Sequence, residues 1–244
     1  MKQLKITLSA MDDFSVNAGS VFHGALMQRI SPEASMKLHE CSLRPYSQYL
    51  STKDDKTIWT VSAISDYGEA EVINPLENLS GEIYLEYKDI SLKILNKEEN
   101  SLSYEKLFCD CMKNSDRKIS VKIMTPISFK SNGSYINIPD LRLIYNSLLR
   151  RFNEFSEQSF IPMETIDQLV DASDLAYRLR STFYHLEGVR IKAFTGSFTV
   201  YLYGTPQIVQ LANMLFRFAE YSGIGIKTTL GMGAVKLEKG EISG

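Results

Sequence analysis

Gly223-Ile224-Gly225-Ile226-Lys227-Thr228-Thr229-Leu230-Gly231-Met232-Gly233 sets four glycines and a lysine within eleven residues. Glycine lets a backbone approach a ligand with its N–H groups bare, because no Cβ intervenes. Successive N–H groups in such a turn form a concave anion site, and Lys227 adds a mobile point charge. The stretch reads as a phosphate-holding loop; a helix cap running on into a turn is the plainer alternative. Just before it, residues 206–221 carry Ile208, Leu211, Ala212, Leu215 and Phe218 at three- and four-residue spacing, one buried helical face. Pro206 suits the first turn and Gly223 a left-handed C-terminal cap. Beyond the loop, Ala234-Val235-Lys236-Leu237-Glu238 alternates as a short strand. Walker and Rossmann loops follow a strand and open a helix. Helix, glycine loop, strand is the reverse order, which excludes both.

Further upstream, residues 174–203 alternate over a long span broken near Glu187-Gly188, which predicts two long paired strands. Asp140 can cap a helix from Leu141 to about Glu157, with Ile144, Leu148, Leu149 and Phe152 inward. Lys118 to Thr125 alternates as a strand, and Pro126 marks its bend or edge. The first half opens with an alternating strand over 2–9, then a helix over 16–30 with Val21, Phe22, Ala25, Leu26 and Ile30 on one stripe. Pro32-Glu33 begins a second short helix through Leu38. Residues 57–64, 83–87 and 90–95 read as strands, 66–80 has room for a helix, and the polar stretch 97–117 is the preferred boundary. Each half then runs strand, helix, two strands, helix, strand. The fold class expected is α+β, two tandem ferredoxin-like (RRM-like, βαββαβ) domains over 1–116 and 117–244.

Composition narrows the function classes. Hydrophobic content of 44% and charged content of 23% are those of a globular chain. Apolar runs are too short for a membrane span, and the amino terminus lacks a signal-peptide layout. Cys41, Cys109 and Cys111 make neither a disulfide framework nor a four-ligand zinc site, so they are expected as packed thiols of a cytoplasmic protein. Net charge is −2, yet residues 1–116 hold 12 Lys+Arg against 18 Asp+Glu, while 117–244 hold 15 against 11. A polyanion would therefore be met by a local groove in the second half. Arg178 and Arg180 share one face of a strand and Arg190 and Lys192 one face of the next, a four-cation ladder for a sugar–phosphate backbone. Lys130, Lys227 and the amides of Gly223, Gly225, Gly231 and Gly233 would complete the groove, with Phe129 and Tyr135 as base-stacking or core residues.

The glycine loop, together with Phe22-His23-Gly24-Ala25-Leu26-Met27, Leu38-His39-Glu40, Thr125-Pro126 and Phe129-Lys130, resembles the repeat-processing endoribonucleases of CRISPR systems. These are the sixth Cas family of the RAMP superfamily, and the likeness is greatest to members serving type III-A systems. The resemblance spans the whole chain. It implies tandem ferredoxin-like domains and cleavage of precursor CRISPR RNA within each repeat without metal or other cofactor. It further implies product transfer to type III-A effector subunits, with a homodimer as a possible assembly.

Metal-free cleavage needs the neighbouring 2′-OH to attack the phosphate, leaving a 2′,3′-cyclic phosphate and a 5′-OH. Histidine near its reference pKa suits the proton transfers. His39 matches the family's catalytic histidine, which the resemblance makes the general acid. Some members carry a tyrosine as base where this chain has Met27, so base duty is expected to pass to His23, one turn earlier. A family lysine aligns with Pro45; neighbouring Arg44 is the substitute expected to steady the phosphorane, with Lys53 more remote and Tyr46 either a phosphate contact or packed. His185 is assigned to structure or RNA contact. The rival reading is a RAMP-type subunit that holds RNA and cuts nothing.

Overall fold

The computed structural model describes every residue except 13, 115, 157–159, 187 and 239–244. Glu157 and Glu187, named above as a helix end and a hairpin break, thus lie outside the described residues.

The first half builds a five-stranded antiparallel sheet, order β2-β3-β1-β5-β4. Its strands are β1 (Lys2–Leu8), β2 (Tyr46–Lys53), β3 (Lys56–Ala63), β4 (Glu82–Leu85) and β5 (Ile90–Ser101). Leu4, Ile6 and Leu8 alternate inward along β1, as period-two patterning requires. Helices α1 (Gly19–Met27) and α2 (Pro32–Glu40) lie in the first crossover, and α3 (Asp66–Gly68) and α4 (Asn74–Glu77) flank a π-helical turn in the second. Phe22 of α1 meets buried Trp59 of β3 edge-on at 5.2 Å, fixing helix to sheet. The order of β2, β3, β1 and β5 is that of a ferredoxin-like unit, with β4 added at the edge.

The second half repeats the plan with β6 (Lys118–Ile123), β9 (Ser173–Leu186), β10 (Val189–Leu202) and β11 (Val235–Glu238), order β11-β6-β10-β9. A small hairpin, β7 (Phe129–Ser131) and β8 (Ser134–Ile136), precedes α6 (Leu141–Phe155). Helices α6 and α8 (Pro206–Ser222) cover the sheet, joined by Tyr145–Phe216 and Phe152–Phe218 contacts, with α7 (Thr165–Asp171) beside them. Helix α5 (Tyr104–Met112), which the sequence division assigns to the first half, buries Leu107 and Cys111 in the second core, and Tyr104 and Phe108 pack on Phe152. Cys109 departs from the packed-thiol expectation: it is exposed.

The β9–β10 ribbon changes its inward face partway. Phe194, Phe198, Val200 and Leu202 enter the α6–α8 core, whereas Ile191 and Ala193, pointing the other way, join Tyr184, Leu186 and Met232 in a separate cluster. Gly196 sits at the change with φ 125°, and a Cβ there would lie 2.1 Å from the Arg178 carbonyl oxygen.

The two units are joined through buried polar contacts. Gln48, 1% exposed, donates to Gly19 O (2.9 Å) and Thr229 O (2.7 Å) and accepts from Trp59 Nε1–H (2.5 Å). Ser47 donates to Tyr221 O at 2.5 Å. The Gln48 amide's oxygen and both its N–H groups each have a partner in a buried place, which makes the junction geometrically specific. Among the described residues no helix is long and apolar enough to cross a membrane.

Candidate active site and RNA cleft

The first-half contribution comes from α1, α2 and the turn after them. Ser31 caps α2 by accepting from Ala34 N–H, Pro32 occupies the first turn, and His39 lies exposed in the last turn. Arg44 returns to the end of α2, its Nε–H donating to Leu38 O at 3.0 Å. His23 is partly buried on α1, with Nδ1 3.0 Å from the hydroxyl of fully buried Tyr46. Burial first, then the Arg44 guanidinium, then His39, lowers the His23 pKa from 6.5 to about 4. His39 and Arg44 both act on His23, so the expected catalytic trio shares one neighbourhood. Lys53 instead lines a different interdomain cleft with Lys5 and Arg217. Tyr46 is a packed partner of His23 and reaches no open surface.

A pH dependence follows from His23. Between pH 6.5 and about 4 the unfolded chain takes up a proton that the folded ring resists, so stability falls as pH drops through that window. The loss should be about 2 kcal/mol at roughly pH 4.5, read by urea denaturation at several pH values, and His23→Gln should flatten it.

Arg44 also lines a cleft of about 320 Å³ between the units. Lys130, Arg150, Arg151 and Lys227 contribute the other cations, and no carboxylate is among the lining residues. Arg151 is only 7% exposed; its guanidinium donates to Ser222 O, and burial lowers its pKa to about 10, which leaves it charged at neutral pH. No ion pair to Arg151 exists among the described residues, an arrangement that is costly until an anion arrives. Thr228, 1% exposed, lines the same cleft with an Oγ1 that has no hydrogen-bond partner among the described residues. The sequence reading missed Arg150 and Arg151. The available signal was a charged residue at 151, three past Leu148 on the apolar stripe of α6.

The glycine loop forms the cleft wall, but not as an open cradle of amides. Gly223, Gly225 and Gly233 N–H donate to Ala219 O (2.9 Å), Ser147 Oγ (2.8 Å) and Pro126 O (3.0 Å). Ile224 and Ile226 N–H are also spent, on Gly233 O and Ser128 O. At Gly225, φ is 85° and a Cβ would lie 2.3 Å from Ser128 O. These three glycines therefore serve close backbone packing, which corrects the expectation that their amides are bare. What the loop presents is Lys227, exposed, in a left-handed conformation (φ 57°), opening a 3-10 turn over Thr228–Leu230.

The expected four-cation ladder is also corrected. Register pairs Arg178 with Ser197 and Arg180 with Thr195, but Arg190 with His185 and Lys192 with Phe183. Directly paired residues share a face and neighbours alternate, so the two cation pairs project from opposite faces of the ribbon. All four are exposed, each pair on the outward side of its own half. Arg190 stacks over Phe183 at 4.3 Å, and His185 stands beside it in a second groove with α1. Phe129, 4% exposed, belongs to the core. Lys130 is exposed at the cleft.

Two ferredoxin-like units, closing a carboxylate-free cationic cleft lined by the Arg44 that acts on His23, define a protein shaped to hold a polyanion. The profile described as CRISPR-associated endoribonuclease Cas6 matches residues 121–235. A relative from Streptococcus thermophilus, CRISPR-associated endoribonuclease Cas6, is 32% identical over 98% of this chain and 99% of its own length. A solved Cas6 product complex superposes with a TM-score of 0.80 at 21% identity, covering 97% of this chain and 99% of that one. Thermus thermophilus Cas6 gives 0.72 at 21% identity, over 97% and 98%. The chain belongs to the Cas6 family, and its tandem ferredoxin-like fold is the one its solved neighbours share.

Proposed function

We propose that this protein is the endoribonuclease that cuts precursor CRISPR RNA within its repeats, acting in the cytoplasm and supplying type III-A effector subunits. The observation that carries the reading is Arg44, which acts on His23 together with His39 and also lines a cleft with five cations and no carboxylate. The name of the Streptococcus thermophilus relative and the capture of a solved neighbour with product support it. The RNA backbone lies along Lys130, Lys227 and Arg150, with Arg151 and Thr228 beneath, and the glycine loop holds that wall in place. Arg178 and Arg180 on one side, or Arg190 and Lys192 on the other, guide the flanking RNA. The first ferredoxin-like unit, whose last strand ends at Ser101, brings His23 and His39; the second, to whose core α5 belongs, brings most of the cleft's cations.

In the cut, the 2′ oxygen attacks phosphorus as its proton leaves, the bond from phosphorus to the 5′ oxygen breaks, and His39 protonates the departing oxygen. Arg44 offsets the charge that builds on the phosphorane. Purified protein should cut repeat RNA in EDTA to give 2′,3′-cyclic phosphate and 5′-OH ends. A 2′-deoxy substitution at the scissile nucleotide should abolish cutting, because the nucleophile is gone. Binding with no cleavage, whether EDTA or Mg2+ is present, would establish the rival, a RAMP-type subunit that only holds RNA.

A further inference from the structure

Tyr46, the first residue of β2, is 0% exposed, and its hydroxyl makes its only hydrogen bond among the described residues with His23 Nδ1, at 3.0 Å. The rings lie nearly parallel, 14° apart. One proton occupies the line between them, and it has two ways to sit. Were His23 Nδ1–H the donor, the phenol would have to send its own hydrogen elsewhere in a buried place where no other acceptor lies within hydrogen-bond reach among the described residues. A buried donor left unmet is strongly disfavoured. With the phenol as donor, both groups are satisfied.

We infer that Tyr46 is a positioning residue whose hydroxyl donates to His23 Nδ1, so that His23 presents an Nε2–H rather than a lone pair to the scissile phosphate. This rests on the reading of the site as an RNA-cleaving one. The charged and titratable groups that face His23 agree with a neutral ring: Arg44 from the turn before β2 and His39 from α2 both oppose a second proton, and burial opposes it more. Burial likewise raises the Tyr46 pKa, so the phenol keeps its hydrogen to donate.

The consequence for the reaction is a change of role from the base expected on sequence. A ring with a pKa near 4 is a poor base at neutral pH, and its outward nitrogen already carries hydrogen. The 2′-hydroxyl proton passes to water at the open rim, and the bond from the 2′ oxygen to phosphorus forms. The bond to the 5′ oxygen breaks with its electron pair on that oxygen, which takes a proton from His39. Through the sequence His23 keeps its proton and hydrogen-bonds a non-bridging oxygen as charge grows there.

The test has a spectroscopic arm and a kinetic arm. In 15N-labelled full-length protein without RNA, long-range nitrogen–proton correlations should show His23 as the Nε2–H tautomer from pH 7 down to about 5. The His23 signals are identified by their loss in His23→Gln. A Tyr46→Phe chain should show a mixture of tautomers. An Nδ1–H ring in the natural protein overturns the proposal, and that measurement stands even if Tyr46→Phe fails to fold. In single-turnover cleavage, His23→Gln, which keeps an N–H at about the same reach, should stay within roughly tenfold of the natural rate. His23→Ala should lose about 10²-fold. Equal losses in the two variants overturn the donor role. Because the spectra need no substrate, a protein that cuts no RNA would count against the nuclease reading and leave the tautomer decided.

Discussion

A His39→Ala chain should bind repeat RNA with unchanged affinity and cut it at least about 10²-fold more slowly. The ring is exposed at the end of α2, so its removal leaves no cavity and costs little stability. The 5′ oxygen is a poor leaving group unless a proton reaches it as the bond breaks, and the nearby Arg44 has no proton to give at any working pH. On the proposed reading affinity stays, because Lys130, Lys227, Arg150 and Arg151 across the cleft, and not His39, would hold the phosphates. Single-turnover rates with excess protein, beside a filter-binding isotherm, separate the two effects. An unchanged rate would remove His39 from the chemistry; a parallel loss of binding would make it a contact instead.

Gly225→Val should cost about 3 kcal/mol or more of stability, by a route unrelated to phosphate. At φ 85° a β-branched residue is strained, and its Cβ would stand 2.3 Å from Ser128 O. That oxygen cannot retreat, because it accepts from Ile226 N–H at 3.0 Å, and Gly225 N–H is itself tied to Ser147 Oγ. Cleavage should fall as well, since the wall bearing Lys227 would shift. Gly24→Ala is the control: a Cβ there meets nothing within 4 Å, and alanine in the helix should add about 0.5–1 kcal/mol. Denaturant midpoints for the two variants should move in opposite directions. A Gly225→Val chain of natural stability that merely binds RNA weakly would restore the bare-amide view of the loop.

Much of the fold is legible in the sequence because most elements obey a single period. Strand β1, helices α1, α6 and α8, the long ribbon and β11 form where their spacing puts them and bury most of the residues it selects, though Val21, Ile208 and Leu211 stay half-buried. Strand β2 was missed because Ser47 and Gln48 are buried polar residues, which erase the alternation a half-buried strand would show. Their partners, Tyr221 O, Thr229 O and Gly19 O, are distant in sequence, so no local pattern announces them. The exchange of inward faces near Gly196 sends Phe194 and Ala193, neighbours of opposite parity, into two different clusters, which a count of odd and even positions does not show. The glycines of the loop can be read from sequence, but which of their N–H groups are already spent depends on Ser147 and Pro126, far away along the chain. The histidines were legible as residue types; the tautomer of His23 depends on one buried phenol.

The amide of Gln48 ties an indole, the start of the first helix and the loop of the opposite unit into one knot. A chain severed near residue 116 would leave each fragment with raw polar seams where the other had been, and neither piece should fold well by itself. Hinge-like opening for substrate entry is likewise opposed. The slot is ready-made, and selectivity must come from RNA that fits it as it stands.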